Sequence, residues 1–437
     1  MAAAKEQRHF VLVHGLGHGA WCWYKIIPRL QSAGHQVTAL DLAASGINLK
    51  FIEDVNTFAD YSKPLLDFLA SLPLHEKVIL IGHCLGGLNL ALAMAMFPEK
   101  ISVAVFLNSL MPNTFHQPSY VVKVQDFSSK LYQLSLIEIL VRAGSPFSED
   151  LSKAKKFTNR KYGSGSRGLE AAKMEATKEK HHYVLIHGIC HGAWCWYKII
   201  PLLKSAGHWV TALDLAASGV NKRSIEDLHT FVDYSQPLLE FMESIPQDER
   251  VILVGHSFGG MNLALAMEKF PEKISVAVFL TAIVPDTVHP PSYVIEAQNN
   301  RTNSGDGWLD TVFTSYGSPD KPSTSMLFGP MGLSSKLYQL SPIQDLELAK
   351  TLIRPGFLFI EDLSKVNKFT NSRYGSVTRV FIVCDEDEAL TEEFQRWMIE
   401  NSGTNNVMEI HGADHMAMLS KPQQLFHSLL DIAHHYT

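Results

Sequence analysis

Long words in this chain are written twice. HGAWCWYKIIP at 18–28 returns at 191–201, TALDLAASG at 38–46 returns at 211–219, and EKISVAVFL at 99–107 returns at 272–280. A single offset covers all three (257 − 84 = 173, the same as 187 − 14). That period is far longer than a solenoid unit, so it reads as the duplication of a whole domain. The length of 437 residues accommodates two domains.

The copies are unequal. The first runs from PSYVVKVQDF, ending at 127, straight into SSKLYQLS. In the second that phrase comes only at 334, after WLDTVFTSYGSPDKPSTSMLFGPMGL. The first copy resumes with EDLSKAKKFTNRKYGS and stops, and GSRGLEAAKMEATKEK follows, Gly-rich and then charged and Ala-rich. The expected organisation is a truncated, inactive copy at 1–168, a linker at 169–181, and a complete domain at 182–437 that could start from Met174.

Within the complete copy the pattern alternates. HYVLIHG, WVTALDL, RVILVGHS, ISVAVFL, RVFIVC and NVMEIHG are short apolar, β-branched runs and read as buried strands. AWCWYKIIPLLKSAG, VDYSQPLLEFMESI, GGMNLALAMEKF and EEFQRWMIENSG carry helical spacing between them. Strands alternating with helices imply an α/β fold, a mostly parallel sheet with helices on both faces. A less regular, aromatic-rich stretch at about 287–376 interrupts the alternation.

Chemistry concentrates in the second copy. GHSFGG fits G-x-S-x-G, after a strand and before a helix, the setting that lifts a serine hydroxyl above a sheet. Ser257 then needs a base and an orienting acid, in the chain order Ser, acid, His. EIHGADHMAML offers His415, with His411 closer to the strand end and more structural in position. IVCDEDEAL offers Asp385, Glu386, Asp387 and Glu388, which spacing alone does not separate. Asp286 is a weaker candidate, and Asp414 is expected to shape its own loop. An oxyanion hole needs two backbone N–H groups, expected from Phe258 and from Ile189 in HGICHGAW. In the first copy VILIGHCLGG puts Cys84 where the nucleophile belongs. A thiolate is a competent nucleophile, but the strands that would bring an acid and a histidine are missing from that copy.

These words together resemble the plant methylesterase family of α/β-hydrolases, which includes salicylic-acid-binding methyl esterases, polyneuridine aldehyde esterase and hydroxynitrile lyases. HGICHGAWCWYKIIPLLKSAGH, VILVGHSFGG, SMLFGP, KLYQL, EDLSK, EEFQRW and GADHMAML carry the resemblance over essentially all of 182–437. It implies the α/β-hydrolase fold, with a cap inserted at about 287–376. It also implies Ser257 as nucleophile, Asp387 as acid and His415 as base, with oxyanion donors at Ile189 and Phe258. Trp308, Phe313, Met326 and Met416 are implied to line an apolar pocket, although plain core packing is the ordinary role of such side chains. The implied activity is hydrolysis of methyl esters of small plant hormones: methyl salicylate, methyl jasmonate or methyl indole-3-acetate. Two alternatives stand beside it. A hydroxynitrile lyase is disfavoured because its Thr and Lys positions fall on Gly188 and Met416, and a thioether supplies no cation. A hormone-binding receptor on a hydrolase scaffold, with vestigial catalysis, is the other.

No cofactor and no metal are expected, because neither a metal-ligand spacing nor a dinucleotide loop appears. The partners expected are a small ester and its carboxylic acid product. A formal net charge of -6 gives no general attraction to nucleic acid or to an anionic membrane. MAAAKEQRHF holds no long apolar run, so a cytoplasmic location is expected. A homodimer is left open, since a first copy without its last strands would expose a sheet edge.

Overall fold

The computed structural model describes residues 7–111, 180–302, 307–318 and 321–437. The expected end of the first copy and all of the linker but its last two residues lie outside them.

In the second copy six strands form one parallel sheet: β5 (His182–Ile186), β6 (Trp209–Leu213), β7 (Val251–Ser257), β8 (Ile274–Ala282), β12 (Arg379–Cys384) and β13 (Asn406–Ile410). Their order is β13-β12-β8-β7-β5-β6. The central strands bury both faces, which is why they read as unbroken apolar runs and not as alternating ones. Chain order reverses at β5, with β6 on one side and β7 on the other. In an open parallel sheet the crevice at such a reversal, past the carboxyl ends of the strands, is where ligands bind. The loop after β5 and the end of β7 meet there.

The first copy repeats this beginning. Here β1 (His9–Val13), β2 (Gln36–Leu40), β3 (Val78–Cys84) and β4 (Ile101–Ser109) form a sheet in the order β2-β1-β3-β4. The helices match as well. Phe58–Ser71 and Phe231–Ser244 are both 14 residues long and open with the same capping box, Thr57 with Asp60 and Thr230 with Asp233. Both carry an internal proline, Pro64 and Pro237, as the apolar spacing required despite it.

Where the sequence shows only irregular, aromatic-rich chain, the structure has a small antiparallel sheet. It comprises β9 (Val312–Ser318), β10 (Lys321–Leu327) and β11 (Gly356–Phe357), with β10 in the middle. Helix Ser292–Thr302 precedes it in the chain, and helix Ile343–Leu352 lies between β10 and β11. Among the described residues no helix is long and apolar enough to cross a membrane.

Candidate active site

Ser257 is the last residue of β7, and its backbone is left-handed, with φ 54°. For a residue with a Cβ this conformation costs about 1–2 kcal/mol. The surroundings impose it. The helix Gly259–Lys269 starts two residues on, and a Cβ at Gly259 would lie 2.6 Å from the His187 carbonyl oxygen. The strand therefore turns sharply into a helix packed close against the neighbouring β5 loop.

His415 lies in the loop after β13. Its Nδ1 donates to Asp387 Oδ2 at 2.7 Å, and both side chains are buried. Of the four acids after β12, only Asp387 turns inward. Its Oδ1 accepts from the backbone N–H groups of Ala389 and Leu390 at 2.7 and 2.8 Å. Its Oδ2 also accepts from the Thr281 hydroxyl at 2.5 Å. Four donors on one buried carboxylate fix its aim. Asp385 instead takes His411 at 3.0 Å and the Gly412 N–H at 2.7 Å, and Glu388 faces Lys336 at 3.7 Å. Asp414 does shape its loop. It accepts from Leu340 N, Ser341 Oγ and Met416 N, and burial pushes its carboxyl above the usual range. Asp286 is turned to His289 and Asn401.

Two further histidines, unremarked in the sequence, frame the site. His256 Nε2 donates to the backbone oxygen of His415 at 2.7 Å. His191 bridges the Ile189 carbonyl at 2.9 Å and the Tyr338 hydroxyl at 2.8 Å. Burial holds His191 down to about 3 and His256 well below its ordinary value, so both are neutral struts. His187 pins the loop after β5, contacting the Gly188 carbonyl and accepting from Leu215 N. Thr281 and these histidines escape sequence reading because their partners are 28 to 159 residues away.

Ser257, His415, Ile189 and Phe258 open onto one cavity, walled mostly by apolar side chains, among them Ile283, Ile295 and Leu390. Its other polar residues are Gln298 and Asn299, and among the described residues no Lys or Arg lines it. Trp308 and Met326 are on the wall. Phe313 is not. It pairs with Met326 across the hairpin and shares its face, but β9 is the edge strand and leaves Phe313 53% exposed. Met416 is not on the wall either; it is wholly buried in the core beneath the His415 loop.

The first copy holds the same turn without its partners. Cys84 also has φ 54° and is half-buried. No residue described in that copy corresponds to Asp387 or His415.

Comparison with known proteins gives two family matches: the alpha/beta hydrolase family over 183–428, and the alpha/beta hydrolase fold over 8–134. Salicylic acid-binding protein 2 of Nicotiana tabacum is 61% identical over 259 residues, which are 59% of this chain and 99% of that protein. Methylesterase 1 of Arabidopsis thaliana is 58% identical over 261 residues, 60% of this chain and 98% of that one. The crystal structure of polyneuridine aldehyde esterase superposes with a TM-score of 0.57 at 53% identity, covering 58% of this chain and all of that one.

Proposed function

The chain belongs to the α/β-hydrolase family, in its plant methylesterase group, and from that premise we propose that it hydrolyses methyl esters of small plant hormones through Ser257, His415 and Asp387. It is a serine carboxylesterase; the finer statement rests above all on the buried Asp387–His415 pair, whose histidine lines the same cavity as Ser257.

His415 takes the proton of Ser257 as the hydroxyl oxygen attacks the ester carbonyl. Asp387 keeps Nδ1 protonated, so that Nε2 is the free base, and stabilises the imidazolium that forms. The N–H groups of Ile189 and Phe258 receive the oxyanion. His415 returns its proton to the departing methoxide, methanol leaves, and water repeats the sequence on the acyl-enzyme.

The walls favour a neutral, largely apolar ester. Among the described residues no lysine or arginine lines the cavity, so the carboxylate product meets no fixed cation there, which favours its release. This favours turnover over a receptor that stores the acid. It also disfavours a cyanohydrin lyase, which would need a cation for the departing cyanide. Methyl salicylate, methyl jasmonate and methyl indole-3-acetate are the candidate substrates, and the proposed expression context is cytoplasmic. A panel of these three esters, assayed by acid released, tests the reading. Hydrolysis of at least one, lost in Ser257→Ala, supports it; salicylate binding without turnover of any ester overturns it.

A further inference from the structure

The helix Ile343–Leu352 is buried on too many sides. Asp345, Leu346, Glu347, Leu348 and Ala349 are all buried in succession, and at 100° per residue five neighbours circle the helix. Leu346 and Ala349 belong to the core of the second copy. Asp345 is held by Tyr197 and Lys198 of that copy at 2.6 and 2.5 Å. Leu348 and Leu352, one turn apart, are each 7% exposed yet lie outside that core. The first copy covers this side: its turn Ala20–Trp23 and helix Ile27–Ser32 pack against the helix.

The contact joins like to like. Tyr24 meets Tyr197 edge-on, with ring centroids 6.5 Å apart, and these are the same position in the two copies. Lys222 donates to the Asn48 carbonyl at 3.2 Å, and Asn48 is the counterpart of Asn221, the residue beside Lys222. Equivalent residues facing each other mark a two-fold axis, where one patch meets its own copy. The docking surface of the first copy begins with HGAWCWYKIIP, which the second copy repeats letter for letter, and runs on into the helix Ile27–Ser32, where the second copy has Leu202 for Arg29 and Lys204 for Gln31.

We infer that the first copy is a resident partner: it occupies a self-complementary face of the second copy, which two free second copies would otherwise use to bind each other. In such a pair each molecule would lay its Ala193–Trp196 turn and Ile199–Ser205 helix on the other's Ile343–Leu352 helix. The contact made once within this chain would be made twice. The truncated copy then has a task that needs neither acid nor base, namely to keep its neighbour single.

The test is the molar mass of fragment 174–437, which contains the whole family match at 183–428. Light scattering at high micromolar concentration should give the fragment twice its own mass. Leu348→Lys in the fragment should return it to a single mass, with ester hydrolysis per mole retained. In the full chain, Tyr24→Lys should speed amide exchange over 343–352 several-fold. A fragment that stays monomeric overturns the inference, as does a dimer indifferent to Leu348→Lys, or exchange unmoved by Tyr24→Lys.

Discussion

Strands β4 and β8 share the letters ISVAVFL and have opposite surroundings. Val276, Val278 and Leu280 are 0% exposed, because β12 pairs beside them and helices cover them. Their counterparts Val103, Val105 and Leu107 are 46%, 39% and 48% exposed, at the edge of a four-stranded sheet. A fully buried side chain of this kind contributes about 1.5–3 kcal/mol, so about half of that is forgone at each of three positions. Identical segments thus differ in burial through what the chain places beyond them. The same holds at the elbow, where Ser257 and Cys84 share a backbone and, among the described residues, only Ser257 has a base within its copy.

The comparison is broken most sharply at the nucleophile. Ser257→Ala should cut kcat by about 10⁶-fold, since the acid and base act only through that hydroxyl. Cys84→Ala should leave turnover unchanged, and Cys84→Ser should add none. Residual turnover in Ser257→Ala that disappears on alkylating Cys84 would mean that the first copy is catalytic. Next in size is Asp387→Asn, expected to lower kcat by about 10⁴-fold with little change in KM, because the amide imposes the wrong tautomer on His415. A loss no larger than that of Asp385→Asn would show that the acid has been misassigned.

The glycines before each elbow sharpen the contrast. A Cβ at Gly188 would lie 2.7 Å from Ser257 Cβ, and one at Gly15 would lie 2.7 Å from Cys84 Cβ. Gly188→Ala should cost about 10²-fold in kcat by displacing the nucleophile, while Gly15→Ala costs none; equal effects on ester hydrolysis would refute the assignment of one working site. Met416→Lys, by contrast, cannot tune the pocket, because it buries an unpaired ammonium in the core and so lowers stability.

The smallest effect is on acid stability. Burial lowers His187, His191 and His256 in the fold, with His191 at about 3, whereas in the unfolded chain each protonates below about 6.5. The folded values lie under the unfolded ones. Their stabilisation is therefore whole above pH 6.5 and is eroded as pH falls from there, by about 1.4 kcal/mol per unit for each histidine. Asp414, raised by burial, opposes part of this. Of the first-copy counterparts, His14 is buried and lowered in the same way, whereas His18 is exposed and His83 half-buried. Urea midpoints of fragment 174–437 should fall between pH 7 and pH 5, and equal midpoints would count against the buried neutral histidines.

The fold was legible because it is written in short range. Runs such as RVILVGHS between helical spacings state a parallel sheet without help from distant residues. Ser257 was legible for the same reason, as its strand and helix are its immediate neighbours. Asp387 was not separable from Asp385 by pattern, since Thr281, more than a hundred residues earlier, and His415, 28 residues later, mark the inward acid. The β9–β10 hairpin was missed because its strands gain their burial from other elements and not from their own alternation. Phe313 and Met326 look equivalent as apolar residues; edge and centre of a sheet are properties of assembly.

The left-handed turn at Cys84 has a practical use. It presents one half-buried thiol in a copy that does no proposed chemistry. Cys190, Cys195 and Cys384 are buried in the other copy, and burial pushes the Cys22 thiol up to about 12. A thiol-directed dye at neutral pH should thus report from the first copy, attaching at the turn that mirrors the nucleophile. Duplication has left this protein with an addressable label site that requires no engineering and lies outside the proposed active site.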